Sequence, residues 1–128
     1  MPVNNYRDLK VWQLSMEIGC AVRETALAFP KQETFGLASQ IQRAAVSIPA
    51  NIAEGHERDS TKEYLRHLSI AQGSRAELET ELLFARRSSY ISQESLDRFL
   101  SQLDEVGRMI TAIRKTLKRR LDEERGRK

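Results

Sequence analysis

The amino-acid sequence predicts an all-α protein, an antiparallel up-and-down bundle of four helices. Apolar residues recur three and four positions apart through most of the 128-residue chain, which is the spacing of one helical face. Only three prolines and six glycines interrupt the chain, and the sequence does not show the alternation of a β-strand. A chain of this length most simply forms one domain. We place the bundle at residues 1–121 and a basic, frayed tail at residues 122–128.

The stretch from Ser39 to Gly55 carries the clearest helical pattern. A polar row lies beside its apolar face, and small residues fill most other positions, which lets a neighbouring helix approach closely. Pro49 lies inside the stretch, so we expect a kink or a break there, and the apolar spacing that continues beyond it favours a kink. Gly55 is placed to end the helix in a left-handed cap. The apolar face comprises Ile41, Ala44, Ala45, Ile48 and Ile52.

Capping residues and proline set the limits of the first two helices. We expect the first helix to begin at Asp8, whose carboxylate can cap free backbone N–H groups. It holds Trp12 as a core anchor and ends at Phe29-Pro30, because the residue before proline avoids the helical region. Thr34 is the expected N-cap of the second helix.

Two further helices follow. Ser60 and Glu63 form a capping box at the start of the third helix, and Ser92 is the expected cap of the fourth. Gly73 lies inside the third helix at a cost of about 1 kcal/mol relative to Ala, which a close helix crossing would explain. The fourth helix has the strongest apolar pattern, formed by Leu96, Phe99, Leu100, Leu103, Val106, Ile110, Ile113, Leu117 and Leu121.

Charge is unevenly placed along the chain, although the net charge is only +3. Residues 108–128 hold nine basic and three acidic residues, a charge of +6, and the rest of the chain therefore carries −3. Such a basic terminus either binds phosphates of RNA or DNA or is an ordinary solvated helix end. With few aromatic residues to stack on bases, we expect binding to the nucleic-acid backbone with little sequence preference. The candidate residues are Arg114, Lys115, Lys118, Arg119, Arg120, Arg125, Arg127 and Lys128.

A second candidate set is the polar row of the second helix together with Glu77. We expect Arg43 to pair with Glu77, and the set to form a hydrogen-bonded seam that fixes helix register, because buried polar groups are costly unless paired. A ligand site is the alternative. The set comprises Gln40, Arg43, Ser47, Asn51, Glu54 and Glu77.

Several kinds of chemistry find no support in the sequence. Glu77 and Glu81 share a helical face, but neither lies next to a His at the spacing of a di-metal bundle. Serine- or cysteine-based catalytic motifs and glycine-rich phosphate loops are not found, so we expect a non-enzyme without metal or cofactor. Apolar runs are too short for a membrane span, and Met1 to Lys10 is too polar for a signal peptide, which predicts a cytoplasmic protein. Cys20 is expected to be a reduced, partly buried thiol.

Together the motifs resemble those of the 23S rRNA intervening-sequence proteins, over most of the chain. Ser89 departs from the pattern, because relatives often have Gly in this turn. The resemblance rests on the stretch 39–55 and, in order, on Leu9-Lys10-Val11-Trp12-Gln13, Phe29-Pro30, Phe35-Gly36-Leu37, Arg58, Ser60, Glu63, Ala71-Gln72-Gly73-Ser74, Glu77-Leu78-Glu79-Thr80 and Tyr90-Ile91.

The resemblance implies a four-helix bundle that assembles into a homo-oligomer, a ring-like pentamer in relatives. It extends to the accessory variability determinant of diversity-generating retroelements, a basic ring that binds nucleic acid and a reverse transcriptase. The family name records genes found inside rRNA insertions and does not establish rRNA binding. We therefore expect a non-enzymatic oligomeric scaffold that binds RNA, DNA or a nucleic-acid-processing protein. The alternative is a protein-interaction module without nucleic-acid binding.

Surplus apolar residues support self-association, because one bundle cannot bury every face. We expect the residues Val11, Leu14, Ile18, Ile70 and Leu83 to lie off the main helical seams.

Overall fold

The computed structural model describes residues 5–126, which form four α-helices and two short 3₁₀ turns. Helix α1 spans Lys10–Leu27, α2 spans Leu37–His56, α3 spans Thr61–Arg87 and α4 spans Gln93–Gly126. The 3₁₀ turns, Tyr6–Asp8 and Lys31–Glu33, precede α1 and α2. No strand occurs in residues 5–126. The prediction of an all-α fold with four helices is confirmed.

The helices pack in a closed circuit around one core. Helix α1 contacts α2 and α4, and α3 contacts the same two helices. The largest fully buried side chains come from all four helices. Val11 and Ile18 are only 2% exposed, so the prediction that they lie off the core was wrong, whereas Ile70 and Leu83 are exposed. These large buried side chains are Phe99, Ile18, Ile41, Ile52, Leu68, Leu78, Leu82, Leu103, Ile110, Val22 and Val106.

Two of the four predicted helix starts are confirmed. Ser60 Oγ accepts a hydrogen bond from Glu63 N at 3.0 Å, and Ser92 Oγ accepts one from Ser95 N at 3.1 Å, so both residues cap as expected. Neither Asp8 nor Thr34 caps a helix. Asp8 instead closes a 3₁₀ turn, and α1 begins at Lys10 without a side-chain cap.

Glu33, and not Thr34, provides the side chain that accepts a hydrogen bond from the first turn of α2. Helix α2 begins three residues later than Thr34, at Leu37. The Glu33 carboxylate accepts a hydrogen bond from Leu37 N at 3.3 Å, and it also accepts one from the hydroxyl of Tyr90 at 2.9 Å. This acid therefore fastens the start of α2 to the turn between α3 and α4.

Helix α2 continues through Pro49 to His56, so the alternative of two separate helices was wrong. Gly55 is also helical, and no glycine in residues 5–126 has a positive φ, so Gly55 is not a left-handed cap. A Cβ atom at this position would lie 2.7 Å from Cβ of His67 and 3.0 Å from Cδ1 of Tyr64. Glycine is needed here because α3 lies against the α2 backbone.

Gly73 has the opposite environment from the one predicted. No atom lies within 4 Å of the position that its Cβ would occupy, so no close helix crossing explains it. Ser89, by contrast, has a φ of 63°, a left-handed conformation that favours glycine. The backbone of this turn therefore suits Gly better than Ser.

The remaining local predictions concern two side chains of α1. Trp12 is partly buried against the core, and its ring meets that of Tyr6 edge to face at 5.4 Å between centroids. Cys20 is exposed, so the expectation of a partly buried thiol was wrong. The reason is its position on α1, because at 100° per residue Cys20 points away from the buried face that contains Ile18 and Val22.

The two glycines give a matched test of close packing. We expect Gly55→Ala to destabilise the protein by about 1–3 kcal/mol, because the new methyl group overpacks the contact with α3. Gly73→Ala should stabilise it by about 0.5–1 kcal/mol, because alanine is the better helix former and meets no neighbour. Urea unfolding of both variants measures these changes, and a stabilising Gly55→Ala would contradict the packing described.

Candidate functional site

The basic candidate residues that the structure describes lie on the last turns of α4, with Arg114 and Lys115 before Leu117 and the others after it. Leu117 is the last buried residue of that helix, and the helix runs nine residues further, about 14 Å at 1.5 Å per residue. Among the described candidates, the exposed ones are Lys115, Lys118, Arg119, Arg120 and Arg125. Residues 122–126 of the predicted tail continue the helix, whereas Arg127 and Lys128 lie outside the described residues. The boundary at residue 121 stays a prediction.

The cations next to Leu117 lack carboxylate partners. None of the ion pairs among residues 5–126 involves Lys118, Arg119 or Arg120. Arg114 differs from them because it is partly buried and its Nε atom has no hydrogen-bond partner. The structure therefore separates Arg114 from the exposed set with which the sequence grouped it.

A groove of about 490 Å³ opens beside Arg120, and sequence reasoning missed it. Leu9 and Leu117 form part of its apolar wall, and His56 and Tyr64 line it as well. The two rings meet edge to face with centroids 5.8 Å apart, and burial raises the pKa of Tyr64. The groove places aromatic surface next to the basic set. Helices α2, α3 and α4 and the segment before α1 contribute residues to the groove. A pattern within one stretch of sequence therefore could not predict it.

The polar row of α2 divides into a hydrogen-bonded half and an open half. In the first half, Ser47 and Ser74 hydroxyls are 2.8 Å apart, and Asn51 Nδ2 donates to Ser47 O at 2.9 Å. Asn51 Oδ1 lies 3.0 Å from Nδ1 of buried His67. Glu54 sits at the end of the row and pairs with exposed Arg58 at 2.6 Å. That hydrogen bond lowers the pKa of Glu54.

The open half surrounds a polar cavity of about 470 Å³ between α2 and α3. Gln40, Arg43 and Glu77 line it and are exposed. Arg43 forms no ion pair with Glu77 among the described residues, so the predicted pairing was wrong. Solvent access explains this, because exposed charges gain little from pairing. Sequence reasoning also missed His67 and Ser74, the α3 partners of the seam.

Glu81 is the most perturbed acid of this face. Its side chain is nearly buried, at 7% exposure, and its Oε1 atom has no hydrogen-bond partner. Burial raises the pKa of Glu81 to about 7, and repulsion by the carboxylate of Glu77 and a hydrogen bond with it add to the shift. The sequence showed that Glu77 and Glu81 share a helical face, but it did not show that only Glu81 is buried.

Other kinds of site find no structural support between residues 5 and 126. No group of three His, Cys, Asp or Glu side chains in that range could hold a metal ion. None of the helices there combines the length and the hydropathy that a membrane span requires.

The fold and the motifs define a class of small four-helix proteins. The model of the 23S rRNA-intervening sequence protein family matches residues 7–112, and the chain belongs to that family. It is similar to a crystal structure of a protein with unknown function from the S23 ribosomal protein family of Bacteroides thetaiotaomicron VPI-5482. That structure has a TM-score of 0.75 and 26% identity, with 82% of this chain and 95% of that chain covered. No curated protein matches the chain.

The buried acid predicts a pH-dependent stability. Because the folded pKa of Glu81, about 7, lies above the ordinary value of 4.5 for a glutamate, the stability linked to this group is present below about pH 4.5 and lost as the pH rises through about 7. Glu81→Gln cannot ionise, so we expect it to be more stable than the wild type above pH 7, by about 1–3 kcal/mol. The difference should shrink towards pH 4.5.

Urea unfolding followed by Trp12 fluorescence at several pH values measures this effect, at high dilution so that subunit contacts do not contribute. Glu105→Gln is the control, because Glu105 is exposed on α4 and should leave the pH profile unchanged. A constant difference between Glu81→Gln and wild type from pH 4.5 to 8 would show that ionisation of Glu81 is not involved.

Proposed function

We propose that the protein is a non-enzymatic, self-associating four-helix scaffold that binds the phosphates of RNA or DNA through the basic end of α4. The observation that carries this proposal is the extension of α4 beyond its last core residue, Leu117, with Lys118, Arg119 and Arg120 exposed. A helix that only completed the core could end near Leu117. The extension instead presents cations outside the acidic body of the chain.

The arrangement of these cations fits phosphates better than a solvated helix end. Lys118, Arg119 and Arg120 follow one another at about 100° intervals, so they spread around more than half of the helix. None of the three pairs with a carboxylate among residues 5–126, although Asp122, Glu123 and Glu124 follow one turn later, so the three cations are available to a ligand. The adjoining groove adds the rings of His56 and Tyr64, on which a nucleobase of a single strand can rest. Binding of this kind is mainly electrostatic and poorly sequence-specific.

We also infer that successive helices run in opposite directions. Residues 57–60 and 88–92 are the only links between α2, α3 and α4, and such short connections favour antiparallel neighbours. The contacts agree with this, because Ser47 meets Ser74 whereas Asn51, further along α2, meets His67, earlier in α3. Antiparallel packing puts the basic end of α4 beside the start of α3.

Exposed apolar side chains support self-association. Val46 is 64% exposed and Phe84 is also 64% exposed, although each belongs to a helix with an ample buried face. Val46 lies beside Met16 and Pro49, and Phe84 lies beside Leu37. Exposed apolar groups that cluster in this way mark contact surfaces. We propose a ring of copies, a pentamer as the family resemblance implies. Such a ring gathers several basic helix ends on one rim and raises affinity through avidity.

The alternative function is a protein-interaction module without nucleic-acid binding, and the same exposed Val46 and Phe84 favour it. A protein partner bound mainly by apolar contacts stays bound as salt rises, whereas phosphate contacts weaken because counterions are released. The salt dependence of binding therefore separates the two functions.

Changing Lys118, Arg119 and Arg120 together to Gln should nearly abolish binding to RNA and DNA. Each phosphate contact contributes about 0.9 to the slope of log affinity against log salt on duplex DNA, so three lost contacts reduce the slope by about 2–3. Deleting residues 121–128 should weaken binding partly. The measurement is a fluorescence titration of single-stranded and duplex RNA and DNA at several salt concentrations.

The matched control removes three exposed basic residues at the other end of the bundle, Lys31, Arg87 and Arg98. It lowers the net charge equally and should leave most of the affinity. If both triple variants lose affinity alike, net charge and not the end of α4 determines binding. If the wild type binds nothing at low salt, the protein-interaction function replaces the proposal.

Self-association is measured separately. Light scattering should give a mass several times that of the 14.7 kDa chain across micromolar concentrations. A monomer mass throughout that range would overturn the scaffold proposal, whatever the result with nucleic acid.

A further inference from the structure

Two unlike surfaces flank α2, and the proposed binding of nucleic acid uses neither. The first, which we call the α1/α2 patch, contains Met16, Cys20, Arg23, Val46 and Pro49 around a cavity of about 280 Å³. Val46 and Met16 are 64% and 40% exposed. The patch is mainly apolar and has one cation at its edge.

The second surface, which we call the α2/α3 groove, contains Leu37, Gln40, Glu77, Glu81 and Phe84 around a cavity of about 460 Å³. Phe84 presents 64% of its surface to solvent there. The groove combines an exposed aromatic ring with two carboxyl groups. Like the α1/α2 patch it has apolar surface, but its charged groups are acidic where that of the patch is basic.

The carboxyl groups of Glu77 and Glu81 have no basic partner among residues 5–126. Glu81 Oε1 is buried in the groove without a hydrogen-bond partner. A buried acceptor that makes no hydrogen bond lowers the stability of the fold. Glu77 forms no ion pair among the described residues, although Arg43 lines the adjoining cavity. Arg23 likewise pairs with no acid between residues 5 and 126. A guanidinium seated at the groove would satisfy both carboxyl groups.

We propose that the α1/α2 patch of one copy packs into the α2/α3 groove of the next copy, with Arg23 meeting Glu77 and Glu81 and with Val46 covering Phe84. The proposal rests on the self-association proposed above and names its surfaces. Because the two surfaces differ, the contact is head-to-tail and not two-fold symmetric. The surfaces lie on different sides of α2, so successive copies turn relative to one another, and a head-to-tail contact with such a rotation can close into a ring.

Reversal of charge tests the pairing. Arg23→Glu and Glu77→Arg each place like charges together, and each should weaken assembly roughly tenfold or more. The double variant has the pair in reversed order and should assemble again. An equal mixture of the two single variants should recover assembly only in part, because the two variants must alternate and a ring of five copies then keeps one like-charge contact. Sedimentation velocity over a concentration series measures the mass, and circular dichroism checks that every variant is folded.

Arg87→Glu is the control, because Arg87 is exposed on α3 and lines neither surface. It should assemble as the wild type does. Cys20 gives a second reading, because this single exposed cysteine lies in the α1/α2 patch. Maleimide should label it slowly in the assembled wild type and faster in either single variant.

The outcomes distinguish this contact from self-association in general. If the wild type assembles but both single variants keep its mass, these surfaces are not the interface and self-association stands. If the single variants dissociate and neither the double variant nor the mixture recovers, the pairing of Arg23 with Glu77 is wrong. A monomeric wild type overturns the contact and self-association together.

Discussion

Small side chains let α2 and α3 approach each other, and this contact positions the other parts of the molecule. Gly55 leaves its backbone open to Tyr64 and His67, and the hydroxyls of Ser47 and Ser74 meet at 2.8 Å. A larger residue at Gly55, Ser47 or Ser74 would push the two helices apart. Since the hydrogen bonds of Asn51 reach both Ser47 and His67, the contact also favours one register over a slip by a turn.

That register determines which acids of α3 become buried. With Ser74 facing α2, Leu78 and Glu81 follow on the inward side of α3, whereas Glu77 stays at the edge. Glu81 therefore loses solvent on one side and meets the carboxylate of Glu77 on the other, which raises its pKa to about 7. Glu81, which lies with exposed Phe84 in the same groove, is thus buried as a consequence of the close packing of α2 and α3 at Ser74.

Helix α4 is fixed by side chains of α3 that contact its backbone at Gly107. Gly107 leaves room for the guanidinium of Arg75, since a Cβ there would lie 2.7 Å from Cζ. Gln72 Nε2 donates to the Gly107 carbonyl at 3.0 Å. These contacts fix the middle of α4. From Lys118 to Gly126 only Leu121 is partly buried, and the other residues are exposed. The part of the chain proposed to bind phosphates is thus the part that packs least.

The sequence determined the four helices and the starts of α3 and α4, because apolar spacing and serine caps act over a few residues. It also showed where charge concentrates, since that needs only a count. It could not show that Gly55 contacts α3, that Glu33 caps α2, that Arg43 and Glu77 stay apart or that Glu81 is buried. Each of these depends on the distance and rotation between helices far apart in the chain. Only the tertiary structure decided them, because burial and pairing follow from which faces meet, and a helical pattern leaves that choice open.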